Sequence, residues 1–320
     1  MIADDTEAAV DGRFAFGENW IRFLSVLDDD RIRCAEQSLT GMLGPDALCG
    51  KTFLDIGSGS GLFSLAAVRL GAARVHSFDL DRQSVNASCE LKRRYAPMAT
   101  GWTIDCASIL DTAYVARLGQ WDIVYSWGVL HHTGAMEQAL SRAAVTVAPG
   151  GQLFIAIYND QGWKSRAWRR LKRMCVAMPG PVQPSFAILA YLPFELRGLL
   201  GSLLRLKPQQ YVRRWTGYGA SRGMSHWHDV LDWVGGFPFE VAKPEAVFDF
   251  YQQRGFVLTK LRTNGGLGCN EFVFTRNPLP AVPRPAGQAA HPSAPATTSE
   301  PPRNEWIDDL GAMRRIPLNR

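Results

Sequence analysis

The ten residues Thr52 to Gly61, TFLDIGSGSG, place an apolar run ending in Asp55-Ile56 ahead of glycines at 57, 59 and 61. The run predicts a strand. The glycines predict a tight turn whose backbone lies close to a ligand, because a residue without Cβ takes positive φ and leaves room beside the chain. Leu62 to Leu70 (LFSLAAVRL) then carries apolar residues at helical spacing with no breaker. Strand, glycine loop and helix in that order make a nucleotide-type half-site.

Two other glycine loops are excluded by single residues. A dinucleotide fingerprint counted from Gly57 needs a glycine where Leu62 stands, and no Gly-Lys-Ser/Thr run follows to make a phosphate-gripping loop. The expected ligand is adenosine-like, with no phosphate to cradle. Such a ligand calls for an acid at the end of the next strand, about 20 residues on, to hold ribose hydroxyls. Arg74 to Leu80 (RVHSFDL) reads as that strand, and Asp79 closes it.

With those residues in place, the chain resembles the class I S-adenosylmethionine-dependent methyltransferases, and further blocks follow that family's order. Ile123 to Leu130 (IVYSWGVL), continuing into His131 and His132, resembles the fourth strand and its cofactor-site loop. Val147 to Tyr158 (VAPGGQLFIAIY) resembles the fifth strand, with Pro149-Gly150-Gly151 expected to turn the chain before it. Phe14 to Leu24 is similar to an N-terminal helix that closes over the cofactor. Within the family, block order is most similar to the ubiquinone-biosynthesis-type small-molecule O-methyltransferases.

The resemblance implies a doubly wound α/β fold: a Rossmann-like, mostly parallel seven-stranded sheet with a helical cap inserted after the fifth strand. Residues 1–50 are the N-terminal helical segment, 51–159 the cofactor-binding core, 160–243 the cap, and 244–276 the last helix and two strands. The Pro/Ala-rich stretch 277–304 has the composition of a disordered linker, and 305–320 form a short tail. The resemblance also implies the cofactor, S-adenosyl-L-methionine. Asp55, Gly57, Ser58, Gly59 and Gly61 would face its amino-acid end, Asp79 its ribose, and Leu80, Ser108 and Ile109 its adenine. Trp127, Gly128 and Leu130 would lie under it, and Trp20 would cover it. The acid common in the family after the third strand is missing, and Asp111 comes later.

Charge and cysteine usage narrow the partners. With 35 basic and 30 acidic residues the net charge is +5, which is no general nucleic-acid footprint. The six cysteines show no C-x-x-C spacing, so neither a metal site nor a disulfide framework is expected. The acidic start, MIADDTEAAVDG, does not read as a secretory signal, and a cytoplasmic enzyme is expected.

The stretch from Asn159 to Arg173 holds six basic residues and two tryptophans, and Ile188 to Leu206 is leucine-rich. A solvated helix face, a peripheral membrane contact through 163–206 and a nucleic-acid contact all fit that composition. The leucines favour lipid or a lipophilic acceptor. Nucleic-acid methylation is the weaker reading, because Ser126-Trp127-Gly128-Val129 is not the Asn/Asp-Pro-Pro-aromatic run of enzymes acting on base amino groups. Non-catalytic donor binding is the third.

The expected acceptor is a hydroxyl of a small, lipophilic or quinone-like metabolite. A neutral hydroxyl is a poor nucleophile, so a base is expected nearby. His131 and His132 lie just past the fourth strand, at the sheet end where ligands bind. His226 and His228, with Asp229, are the rival bases in the cap, and Glu240 and Tyr158 are further pocket candidates. Oligomeric state is left open.

Overall fold

The computed structural model describes residues 16–205, Gln209, Tyr211 and 234–278. His226, His228, the linker from 279 onward and the tail fall outside them. Two helices lead in, α1 (Phe16–Phe23) and α2 (Asp29–Leu43). The Rossmann-like alternation follows as β1 (Thr52–Ile56), α3 (Leu62–Arg69), β2 (Arg74–Asp79), α4 (Arg82–Tyr95), β3 (Trp102–Cys106), α5 (Thr112–Leu118), β4 (Trp121–Trp127), α6 (Met136–Val145) and β5 (Val147–Tyr158). The insertion carries α7 (Trp163–Val176) and α8 (Gln183–Leu204), and α9 (Pro244–Gln252), β6 (Phe256–Arg262) and β7 (Cys269–Arg276) complete the sheet.

The strands lie in the order β3-β2-β1-β4-β5-β7-β6. All pair in parallel except β7, which is antiparallel to both neighbours. β1 is central, so the chain leaves it first toward β2 and later returns on its other side with β4. The crevice at that reversal is where an open α/β sheet binds ligands.

Alternating residues of the central strands feed two cores, one on each face. Leu54, Ile56, Val124, Leu153 and Ile155 pack with Leu140, Tyr251 and Phe274. Phe53, Ile123, Tyr125 and Phe154 pack with the α2, α3 and α4 side chains Leu39, Leu65 and Leu91. Strands buried on both faces read as continuous apolar runs, which is why TFLDI and IVYSW were visible as strands. Each fully buried Leu or Phe contributes about 1.5–3 kcal/mol.

One expected turn is not a turn. Pro149-Gly150-Gly151 lies inside β5, and the pairing shifts register between Trp121 and Ile123 to absorb it. Gly150 bulges at φ +76°, and a Cβ on Gly151 would stand 2.8 Å from the Asp122 carbonyl oxygen. Glycine there lets β4 and β5 close up around the extra residues.

Candidate active site

The glycine loop is built by backbone and small side chains. Gly57, Gly59 and Gly61 have φ of +74°, +54° and +79°. The Gly57 and Ser58 N–H groups donate to the Phe78 carbonyl at 2.8 and 3.1 Å, tying the loop to β2. Ser88 of α4 donates to the Gly59 carbonyl at 3.0 Å, and its hydroxyl lies 3.3 Å from that of Ser58. A Cβ on Gly57 would lie 2.4 Å from the Val129 side chain, the point at which the loop after β1 meets the loop after β4.

Asp79 closes β2 and turns toward the loop. Its Oδ2 accepts the Gly59 N–H at 3.0 Å and its Oδ1 the Asp81 N–H at 2.9 Å. Burial raises its pKa to about 6, against those hydrogen bonds, which lower it. Asp55 is the more enclosed acid: Oδ2 accepts from Ser64 Oγ at 2.5 Å, and Ser64 is linked to Ser77 at 2.6 Å. Burial is the main cause that lifts Asp55 to about 7, with Asp79 adding repulsion. Asp55 thus couples β1 to α3 directly behind the loop.

Helix α1 closes on this region. A Cβ on Gly59 would come within 2.8 Å of the Trp20 indole, so that ring lies on the loop. The helix start is latched where the Gly17 N–H donates to Asp81 Oδ2 at 2.7 Å. Asp81 also receives the Gln83 N–H as the N-cap of α4. Sequence reasoning missed Asp81; its place two residues beyond Asp79, directly before a helical run, was the available signal.

The remaining expected cofactor residues are distributed unevenly. Leu80 is 53% exposed beside the loop. Ser108 accepts the Leu110 N–H at 3.0 Å, whereas Ile109 is buried in the core beside Tyr114. Asp111 is the N-cap of α5, bound to the Ala113 and Tyr114 N–H groups, so its late position serves the helix. Trp127 donates to Glu271 Oε1 at 2.8 Å, Gly128 turns at φ +76°, and Leu130 is buried.

His131 and His132 occupy a 3-10 turn, Leu130–His132, after β4. Their rings lie 4.5 Å apart and border Tyr158, which itself packs on Phe239. His131 is fully buried; its Nδ1 accepts the Tyr158 N–H at 3.4 Å, and its Nε2 meets no hydrogen-bond partner among the described residues. Burial holds its pKa well below the ordinary value. His132 is half-buried, and its Nδ1 lies 2.5 Å from the Pro238 carbonyl oxygen. A carbonyl only accepts, so Nδ1 carries the proton and Nε2 the lone pair. Burial first, then the Lys172 charge, push His132 down to about 3.

Lys172 belongs to the basic run, yet it is fully buried, with Nζ 4.9 Å from the Phe239 ring centre and 5.5 Å from that of Tyr158. Its seven-residue offset from Ser165 and four from Trp168 puts it on the inward stripe of α7. Glu240 reaches the start of α6, where its Oε2 accepts the Met136 N–H at 3.0 Å. No cluster of three or more His, Cys, Asp or Glu residues suited to a metal occurs among the described residues.

A family model described as a methyltransferase domain matches residues 54–153, from β1 into β5. Residues 54–153 therefore carry a methyltransferase domain. This methyltransferase domain is similar to the ubiquinone biosynthesis O-methyltransferase of Methylobacterium sp. (strain 4-46), 32% identical over 117 residues, 37% of this chain and 45% of the relative. It is also similar to the ribosomal protein L11 methyltransferase of Aeromonas hydrophila, 54% identical over 41 residues, 13% of this chain and 14% of the relative. Among solved structures, magnesium protoporphyrin IX methyltransferase from Synechocystis PCC 6803 with bound SAH aligns at TM-score 0.49 and 12% identity, covering 81% of this chain and 93% of that one. The chain spans less than half the length of the Methylobacterium relative.

The methyltransferase loop fits its cofactor on this chain's own geometry. A Cβ at Gly57 or Gly59 would strike Val129 or Trp20, so the glycines keep the loop backbone bare and closely covered, and a carboxylate, not a phosphate-binding lysine, stands at its rim. A carboxylate acceptor suits hydroxyls, which donate to it, and repels a phosphate.

Proposed function

We propose that this protein transfers a methyl group from S-adenosylmethionine to a hydroxyl oxygen of a small, lipophilic or quinone-like metabolite. When bound, the donor supplies a methyl group on a positively charged sulfur. Asp79 is assigned to the ribose hydroxyls, the face of the glycine loop with the Ser58 hydroxyl to the amino-acid end, and Trp20 to a cover that excludes water. The observation that carries the reading is the position of His132: half-buried beside Tyr158, on the loop after β4, with its tautomer set by Pro238.

His132 is the assigned base. Its Nε2 lone pair would receive the hydroxyl proton as the C–O bond forms and the oxygen becomes strongly acidic, because a ring with so depressed a pKa does not deprotonate the free hydroxyl beforehand. The depressed pKa keeps the ring neutral throughout the physiological range, so a turnover limb near pH 6.5 is not expected from this residue. His131, enclosed and bonded to the Tyr158 backbone, is assigned to positioning. The relatives' names point to different acceptors, ubiquinone biosynthesis in one case and a ribosomal protein in another, so the small-molecule reading rests on the aromatic surroundings of His132, where Tyr158 and Phe239 stack beside the buried Lys172.

A labelled-methyl assay on lipid, nucleic-acid, glycan and small-metabolite fractions tests the proposal. Label should enter a lipid or small-metabolite hydroxyl; label in RNA, DNA or protein, or in nothing, would overturn it. His132→Gln is expected to lower turnover by about 10²–10⁴-fold while leaving donor affinity intact. Full activity in that variant moves the base elsewhere.

A further inference from the structure

Helix α8 is apolar on the outside and polar on the inside. Ala187, Glu195 and Ser202 face the protein, and Glu195 accepts from the Tyr211 hydroxyl at 2.6 Å. Leu189, Leu192, Leu196, Leu200 and Leu203 recur at helical spacing on the exposed side, where Leu189 is 67% and Leu200 58% exposed. A monomer in water normally turns such a stripe inward, and an exposed apolar patch of this kind marks an interaction surface.

The neighbouring helix says what that surface meets. α7 packs against α8, with Trp168 edge-on to Phe194 at 5.7 Å. Ser165, Trp168, Lys172 and Cys175 form its buried stripe. Lys164, Arg166, Arg169, Arg170 and Arg173 are exposed, and Trp163 at its start is 68% exposed. A leucine stripe next to a basic helix with an outward tryptophan is the composition of an interfacial element on anionic lipid. Nucleic acid would use the basic helix but has no use for the leucines.

We infer that α7 and α8 dock the protein on an anionic lipid bilayer, with α8 lying along the interface and its leucine side in the acyl region. Gly180–Leu204 is long and apolar enough to cross a membrane by length and composition. Its attachment to α7 through Ala187 and Phe194 favours the lying orientation. The inference is independent of the methyl-transfer reading, because its test measures binding and not turnover.

The test is flotation of the full chain with vesicles of phosphatidylcholine alone and of phosphatidylcholine mixed with phosphatidylglycerol. Capture is expected on the mixed vesicles and should fall as salt is raised. The triple variant Leu189→Glu, Leu196→Glu, Leu200→Glu should lose capture at least about tenfold while its melting temperature and S-adenosylhomocysteine affinity stay unchanged. Should that variant fail to fold, Arg166→Gln with Arg170→Gln provides the test, with about a fivefold loss expected for each charge removed. Absence of capture on mixed vesicles overturns the inference. So does a dimer in sedimentation that the triple variant disperses while vesicles bind nothing, since the leucines would then belong to a second copy.

Discussion

Around the glycine loop, polar groups that leave water find one another: Asp55 bonds Ser64, Ser64 meets Ser77, and Ser77 receives the Trp102 indole N–H at 2.7 Å. In α7 and α8 a lysine is enclosed by aromatic rings while leucines face outward. The first region behaves as the interior of a single folded chain, where the buried polar groups of Asp55, Ser64, Ser77 and Trp102 satisfy one another. The second has arranged its side chains toward something outside the chain. The contrast teaches that the donor half is self-sufficient, whereas the insertion takes its meaning from what it contacts.

The largest effect expected in the donor half is on Asp79. Asp79→Ala removes a charged acceptor worth about 1.5–3 kcal/mol per hydrogen bond, so calorimetry should record donor affinity falling by about 10- to 100-fold. An unchanged dissociation constant would remove the ribose assignment and leave Asp79 a purely structural latch for Gly59.

A glycine pair sharpens the comparison between regions. Gly57→Ala puts a methyl 2.4 Å from Val129 at a positive φ, and denaturant unfolding should show a loss of about 1–3 kcal/mol. Gly201 in α8 has nothing within 4 Å of its Cβ position. Gly201→Ala should therefore be neutral or gain about 0.5–1 kcal/mol from helix propensity. Equal losses at both positions would erase the distinction between a close-packed loop and an open helix.

A pH dependence tests the buried acid at the centre of the first region. Asp55 titrates near 7 in the folded chain against 3.8 as its reference value. The folded state therefore holds the proton more tightly, and this group's contribution to stability falls as pH rises from about 4 to about 7. Asp55→Asn, which stays neutral, should gain stability relative to the parent across that window and hold a constant advantage above it. Thermal melts of both proteins at several pH values measure the difference; a gap that narrows with rising pH contradicts the buried-acid account.

Much of the donor half was legible because its signals are local. TFLDI and IVYSW announced strands by their largely apolar, β-branched and aromatic character, and glycines on alternate positions announced the loop. Pro149-Gly150-Gly151 misled because proline and glycine mark a bulge as readily as a turn, and only the pairing of Trp121 with Val147 and of Ile123 with Gln152 distinguishes them. Asp111, which comes after the point where the family's acid is missing, is the N-cap of α5. In the insertion, six basic residues read alike in sequence, yet Lys172 alone of them is buried.

By itself the sequence determined the order of strand, loop and helix, and the requirement for a ligand that touches backbone and has no phosphate. Those properties follow from Cβ sterics and hydrophobic period, which act over a few residues. Only the tertiary structure decided that Val129 closes on Gly57, that Trp20 covers Gly59, that Pro238 sets the His132 tautomer, and that α8 turns its leucines outward. Each of these depends on which segments distant in the chain come together, and side-chain burial is a property of that assembly.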